Sequence, residues 1–142
     1  MGSSHTVKLH VRIRPNSGQP FYRQIADQVK TEFLRGYLQP GERLPSVREL
    51  AKELSMNPTT IVKAYDLLEH ERLIVRRQGQ GAFVADGNQP LHPDEREGLL
   101  AELAGKLAIE GRRLGYSEAE IEAAVRDELA RLRPESKKGR AR

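Results

Sequence analysis

The amino-acid sequence predicts a mainly α-helical protein carrying one small β element, and three observations lead there. From Phe21 onward apolar residues recur every three or four positions, the helical period. Ser46 with Glu49, and Ser117 with Glu120, stand at the spacing of a capping box, in which each side chain satisfies the other residue's backbone N–H. Two β-prone runs, Leu73-Ile74-Val75 and Ala82-Phe83-Val84, flank a stretch containing Gly79 and Gly81, the pattern of a hairpin.

The elements follow in order. Residues 1–6, opening Met1-Gly2-Ser3-Ser4-His5, read as an expression-tag remnant and carry no fold information. Val7 to Ile13 alternate strictly, with Val7, Leu9, Val11 and Ile13 on one face and Lys8, His10 and Arg12 on the other, which predicts a half-buried strand. Pro15-Asn16-Ser17-Gly18 ends it as a turn. Phe21, Tyr22, Ile25, Val29, Phe33 and Tyr37 share one face of a predicted helix of about four turns, broken by Pro40-Gly41.

The Ser46–Glu49 box opens a short helix whose apolar face is Val47, Leu50, Ala51 and Leu54. Asn57 is a good N-cap for the next helix, and Pro58 sits at its first position, where a missing N–H costs little. That helix runs to about Glu71 and buries Ile61, Tyr65 and Leu68. The hairpin follows, with Arg76, Arg77, Gln78, Gly79, Gln80 and Gly81 between its β-prone runs. Pro93-Asp94-Glu95 then opens a leucine-rich helix with acids at its positive dipole end. Gly115 stops it, and the Ser117–Glu120 box starts a last helix marked by Ile121, Val125, Leu129 and Leu132. From Pro134 the chain is polar and basic, a predicted disordered tail.

These boundaries give a working division: 7–85 as one domain, 86–92 as a linker, 93–133 as a helical region and 134–142 as the tail. The 142 residues, 37% apolar and 31% charged, suit one globular domain with a modest appendage. Charge is uneven along them. Residues 1–90 hold 13 basic and 9 acidic side chains, residues 91–135 hold 7 and 11, and Ser136 to Arg142 add four positive charges. An anionic polymer suits the front part. With no cysteine, disulfides, thiolate metal sites and thiol catalysis are excluded. The absence of a secretory signal or a long apolar run predicts a soluble cytoplasmic protein without a membrane partner.

The order of helix, short helix, tight turn, capped helix and basic hairpin carries the functional signal. A helix-turn-helix needs its two later helices rigidly crossed so that the second presents its N-terminal residues to the DNA major groove. Thr59, Thr60 and Lys63 project from the first turns of that helix, away from its apolar face, where hydroxyls and an ammonium suit phosphate and base edges. Arg48 lies in the first turn of the short helix, Arg43 precedes it in the loop, and the hairpin carries Arg76 and Arg77 with Gly79 and Gly81 allowing close approach to a groove wall. One such arginine is ordinarily solubilising, but several converging on one edge favour a binding surface.

Pro20-Phe21-Tyr22-Arg23-Gln24-Ile25, Gly41-Glu42-Arg43-Leu44-Pro45-Ser46-Val47-Arg48-Glu49-Leu50-Ala51, Asn57-Pro58-Thr59-Thr60-Ile61-Val62-Lys63-Ala64-Tyr65 and Gly79-Gln80-Gly81-Ala82-Phe83-Val84 together resemble the winged helix-turn-helix of GntR-family transcription regulators. The resemblance covers residues 20 to 85, and the short two-helix C-terminal part resembles the YtrA subfamily. It implies a winged helix-turn-helix with a C-terminal two-helix dimerisation region. It also implies DNA contacts from Arg48, from Asn57, Thr59 and Thr60, and from Gly79, Gln80 and Gly81. With Arg43, Ser46, Lys63, Arg76 and Arg77 these form the expected DNA-binding set. Pro58 departs from the family pattern, standing where several relatives carry a base-reading arginine.

Each C-terminal helix has one apolar stripe, and two helices alone enclose both stripes poorly. Leu99, Leu100, Leu103, Leu107, Ile121, Val125, Leu129 and Leu132 are therefore expected at a two-fold dimer interface. The alternative packs both stripes on the winged domain of the same chain. The resulting expectation is a homodimeric repressor on a palindromic double-stranded DNA operator, controlling a transporter operon by resemblance. A small-molecule effector is left open, since two helices leave little room for a pocket of about 300 Å³. The competing reading is a winged-helix module for protein–protein contact without DNA readout, against which Arg48, Lys63, Arg76 and Arg77 argue. Catalysis, cofactors and metals are not expected. Gly79-Gln80-Gly81 lacks the rest of a dinucleotide fingerprint, and His10, His70 and His92 are scattered. Some relatives are fused to an aminotransferase-like domain, which about 50 residues after the linker cannot build.

Overall fold

The computed structural model describes residues 6–86 and 92–134. The chain forms two compact units, one holding three helices and a hairpin, the other two helices. The tag remnant up to His5, most of the expected linker and the tail beyond Pro134 lie outside the described residues.

In the first unit α1 spans Phe21–Leu34, α2 Val47–Leu54 and α3 Pro58–His70, followed by β1 at Ile74–Arg77 and β2 at Gly81–Val84. Helices α1 and α2 both pack on α3, and β1 packs on its far end. The strands pair antiparallel, with Ile74 opposite Val84 and Arg77 opposite Gly81. The shared core is formed by Ile25, Ala26 and Val29 of α1, Leu50 and Ala51 of α2, Ile61, Ala64, Tyr65 and Leu68 of α3, and Ile74, Ala82 and Val84 of the hairpin.

Two expectations need correction. Helix α1 ends at Leu34, before Tyr37. Gly36 takes the left-handed backbone (φ 87°), its N–H donating to the Phe33 carbonyl while the Tyr37 N–H donates to Glu32. This is the Schellman closure that glycine favours, and it acts upstream of Pro40-Gly41. Second, residues 7–13 do not form a strand of a sheet. The expected alternation is present, with Leu9 buried, Val7, Val11 and Ile13 half-buried and the even positions exposed. The partner, however, is α1. Arg14 N–H donates to Gln24 Oε1 (2.8 Å) and Gln24 Nε2 returns a bond to the Arg14 carbonyl (3.0 Å); Arg12 and Gln28 repeat the exchange at 2.9 and 2.7 Å. Period two reveals which face is buried but not what satisfies the backbone.

The capping predictions are met. Ser46 and Glu49 form a complete capping box on α2, Asn57 Oδ1 accepts from Thr59 N–H at the start of α3, and Ser117 pairs with Glu120. Helices α2 and α3 each close with a non-glycine residue in the left-handed region, Ser55 (φ 54°) and Arg72 (φ 64°).

The second unit holds α4, Pro93–Arg113, and α5, Glu118–Arg131. They are in close contact at Gly111, where a Cβ would stand 2.6 Å from Ile121 Cδ1. Most of their apolar stripe stays open within one chain: Leu99, Leu100, Leu103, Leu107 and Leu129 are all exposed, and Leu132 is half-buried.

Candidate nucleic-acid interface

The helix-turn-helix is held by a buried contact between its halves. The Tyr65 hydroxyl of α3 donates to the Pro45 carbonyl (2.7 Å), one residue before the α2 N-cap. Tyr65 is itself 1% exposed and belongs to the buried core that includes Ile25, Leu50 and Ile61. Burial pushes its hydroxyl well above the usual tyrosine range, Arg76 offsetting part of this and Glu49 and Glu53 adding to it.

On the outer side, Thr59 is exposed and Thr60 half-buried at the start of α3. This helix, like α1, has no acidic residue in its first turn, whereas α2, α4 and α5 each have at least one. Its positive dipole end is thus unneutralised, the arrangement that receives phosphates. Lys63 lies one turn on, its Nζ 6.0 Å from the Tyr22 ring centre. Arg48 is exposed on α2 and enters no ion pair among the described residues. The Ser46 hydroxyl is occupied by its own capping bond.

The wing brings a second group together. Residues 41–44 run beside β2: Gly41 N–H donates to Val84, Val84 N–H to Glu42, and Leu44 N–H to Ala82. The Arg43 side chain therefore crosses the wing, its Nε 3.4 Å from where a Cβ on Gly81 would stand. Gly79 and Gly81 both have positive φ, 76° and 113°. Arg77 lies over the Phe83 ring (4.9 Å), and Gln80 N–H closes the tip on the Arg77 carbonyl.

Arg76 stands apart from this group. Its guanidinium turns back to α3, meeting Asp66 (2.9 Å) and Glu69 (3.7 Å), with Nη2 also 3.4 Å from the Val62 carbonyl. It braces β1 against α3, a use that Asp66 and Glu69, three apart on one helix face, could have signalled. No group of three or more His, Asp or Glu side chains suited to a metal occurs among the described residues. No helix among them is long and apolar enough to cross a membrane.

This geometry has close relatives. Residues 21–84 match the model of bacterial regulatory proteins of the gntR family. The chain is 35% identical over 112 residues to the HTH-type transcriptional repressor YtrA of Bacillus subtilis, covering 79% of this chain and 84% of that protein. Among solved structures, a Listeria monocytogenes EGD-e protein described as a transcriptional antiterminator superposes with a TM-score of 0.73 at 31% identity, over 85% of this chain and 90% of the other. YtrA from Sulfolobus acidocaldarius, a GntR-family transcription factor, gives 0.54 at 34% identity, over 67% and 97%. The capped helix pair, the wing, the C-terminal helices and the extent of these matches have one reading: this chain belongs to the GntR family and is a DNA-binding transcriptional regulator.

Proposed function

We propose that the protein is a cytoplasmic repressor that acts by occupying an inverted-repeat operator as a homodimer, without catalytic turnover. One observation carries the DNA-facing assignment. The unneutralised start of α3, with Thr59, Thr60 and Lys63, shares a rigid unit with Arg48 and with the Arg43–Gly81 wing edge. Asn57, Ser46, Arg77, Gly79 and Gln80 complete the proposed surface, and Arg76 supports it through the brace to α3. Similarity to the YtrA repressor supports repression.

Dimerisation is supported by the open stripe of Leu99, Leu100, Leu103 and Leu107 on α4 with Val125 and Leu129 on α5. Ile121 contributes chiefly by packing on Gly111. Two reading heads held on one DNA face explain why such a stripe is retained. The apolar cleft between α1 and the wing, lined by Val29, Phe33, Leu38 and Leu73, holds about 10 Å³, room for a water and far below the roughly 300 Å³ of a ligand pocket. It is not an effector site.

Sequencing the duplexes the protein selects from a random pool tests the proposal. An inverted repeat with half-site centres about 10 base pairs apart, or a multiple, is expected. Arg48→Ala should then bind the selected duplex more weakly, by about 1–3 kcal/mol if Arg48 reads a base. Selection of no duplex would overturn the proposal.

A further inference from the structure

The extended arm of residues 7–14 is clamped to α1 by side chains at matched repeats. Gln24, Gln28 and Glu32 are four residues apart, about 6 Å along a helix axis. Arg14, Arg12 and His10 are two apart, about 6.6 Å along an extended chain. The two runs are antiparallel, so each helix side chain meets a backbone N–H in turn, ending with His10 N–H on Glu32 Oε2 (3.2 Å). Gln24 Nε2 further reaches the Ser17 hydroxyl and the Gln19 carbonyl, both at 3.0 Å, fixing the turn that follows.

The clamp turns every even-numbered side chain outward, and Lys8, Arg12 and Arg14 are exposed there. Some cations elsewhere are neutralised: Lys30 by Glu71 (2.7 Å), Arg76 by Asp66, Arg113 by Glu110 and Arg131 by Glu128. Lys8, Arg12 and Arg14 have no ion pair among the described residues. The clamping groups beside Arg12 and Arg14 are neutral carboxamides, so the arm is fixed without cancelling its charge.

The arm is also continuous with the proposed DNA-facing surface at its start. Thr6 bridges to Arg43 and Val7 N–H donates to the Arg43 carbonyl (2.8 Å), placing the arm's start against the strip that carries Arg43 to Gly81. At the other end Arg14 is held to α1 by Gln24 (2.8 Å).

We infer that this arm is a further phosphate-binding element, with Lys8, Arg12 and Arg14 contacting the sugar–phosphate backbone of duplex DNA beside the groove that α3 reads. The inference rests on the DNA-binding reading. Because the arm is already ordered, little conformational freedom is lost on binding. Charges on a regular backbone row position the protein and carry no sequence preference.

The test uses the full chain on two probes, a duplex selected from a random pool and an unrelated duplex, titrated from 50 to 200 mM salt. The Lys8→Gln/Arg12→Gln/Arg14→Gln variant keeps the clamp, which uses the arm's backbone, and thermal melts confirm its fold. Its plot of log affinity against log salt is expected to be shallower by about 0.9 for each phosphate left unneutralised. Affinity at 50 mM salt falls tenfold or more on both probes, and their affinity ratio stays at the parent value. Arg12→Lys/Arg14→Lys retains the parent slope. Gln24→Ala/Gln28→Ala, with the charges present but the arm released, weakens both probes. A parent-like slope in the triple variant, or a changed ratio between probes, overturns the inference. A parent that binds neither probe overturns the DNA-binding reading instead.

Discussion

The Tyr65 hydroxyl and the Pro45 carbonyl form a buried 2.7 Å hydrogen bond that ties the middle of α3 to the entrance of α2. The angle between those helices determines which residues reach a groove, so this bond sets the geometry of reading from inside the core.

Tyr65→Phe leaves that carbonyl without its partner and is expected to cost about 1–3 kcal/mol at neutral pH, measured by denaturant unfolding. The alkaline limb gives a second readout. The folded protein holds the Tyr65 proton above the range of the unfolded chain, whose tyrosine titrates near 10. The stability from this difference is fully present below pH 10 and is lost as pH rises above it, by about 1.4 kcal/mol per pH unit. Tyr65→Phe should lack this component, so its loss of stability above pH 10 should be less steep than the parent's.

Ser55 occupies the left-handed region in the turn between α2 and α3 (φ 54°), at a cost of about 1–2 kcal/mol for an L residue. Its N–H closes α2 on Lys52 and the Met56 N–H on Ala51, bonds that glycine makes equally well. Ser55→Gly is therefore expected to raise the melting temperature by several degrees, with DNA affinity unchanged. A lower melting temperature would show that the Ser55 side chain contributes something the backbone does not.

These two residues show what is legible in the sequence. The positions of α2 and α3 can be read because Ser46, Glu49, Asn57 and Pro58 are local signals acting within one turn. The left-handed backbone at Ser55 and Arg72 cannot, since neither residue is glycine and tertiary packing overrides the local preference. The set Arg43, Arg48, Thr59, Thr60 and Lys63 is visible as polar positions outside the apolar periodicity. The ion pairs of Arg76 are harder to read, because its partners, Asp66 and Glu69, come from another element. The arm reads as a strand because alternation records burial alone, and the glutamines that hold it are hidden in the polar face of α1.

Gly81→Val combines two penalties. A β-branched residue is strained at φ 113°, and its γ-methyls would reach beyond a Cβ already in van der Waals contact with the Arg43 guanidinium (3.4 Å). The variant is expected to stay folded while binding its operator at least tenfold more weakly in gel-shift titration. Parent-like binding by the folded variant would place the wing tip off the DNA.

Leu107 is 44% exposed within one chain, so a charge there should spare the fold of the protomer. In an apolar two-fold interface the same carboxylate would be buried without a partner. Leu107→Asp is therefore expected to sediment as a monomer and to lose the advantage of full operators over half-sites. A variant that remains dimeric would move the interface elsewhere.

The glutamine clamp has a consequence for how this protein behaves in a crowded cell. An extended segment beside a small sheet is ordinarily a template on which a second chain can add a strand. Here the N–H groups of His10, Arg12 and Arg14 are taken by side chains of α1, and the carbonyls of Arg12 and Arg14 are taken as well. On that edge an incoming strand would have to displace side chains tethered to the same chain, at high effective concentration, and would meet a row of positive charge on the outer face. The arm thus stays extended with its α1-facing edge closed by side chains instead of by a second strand.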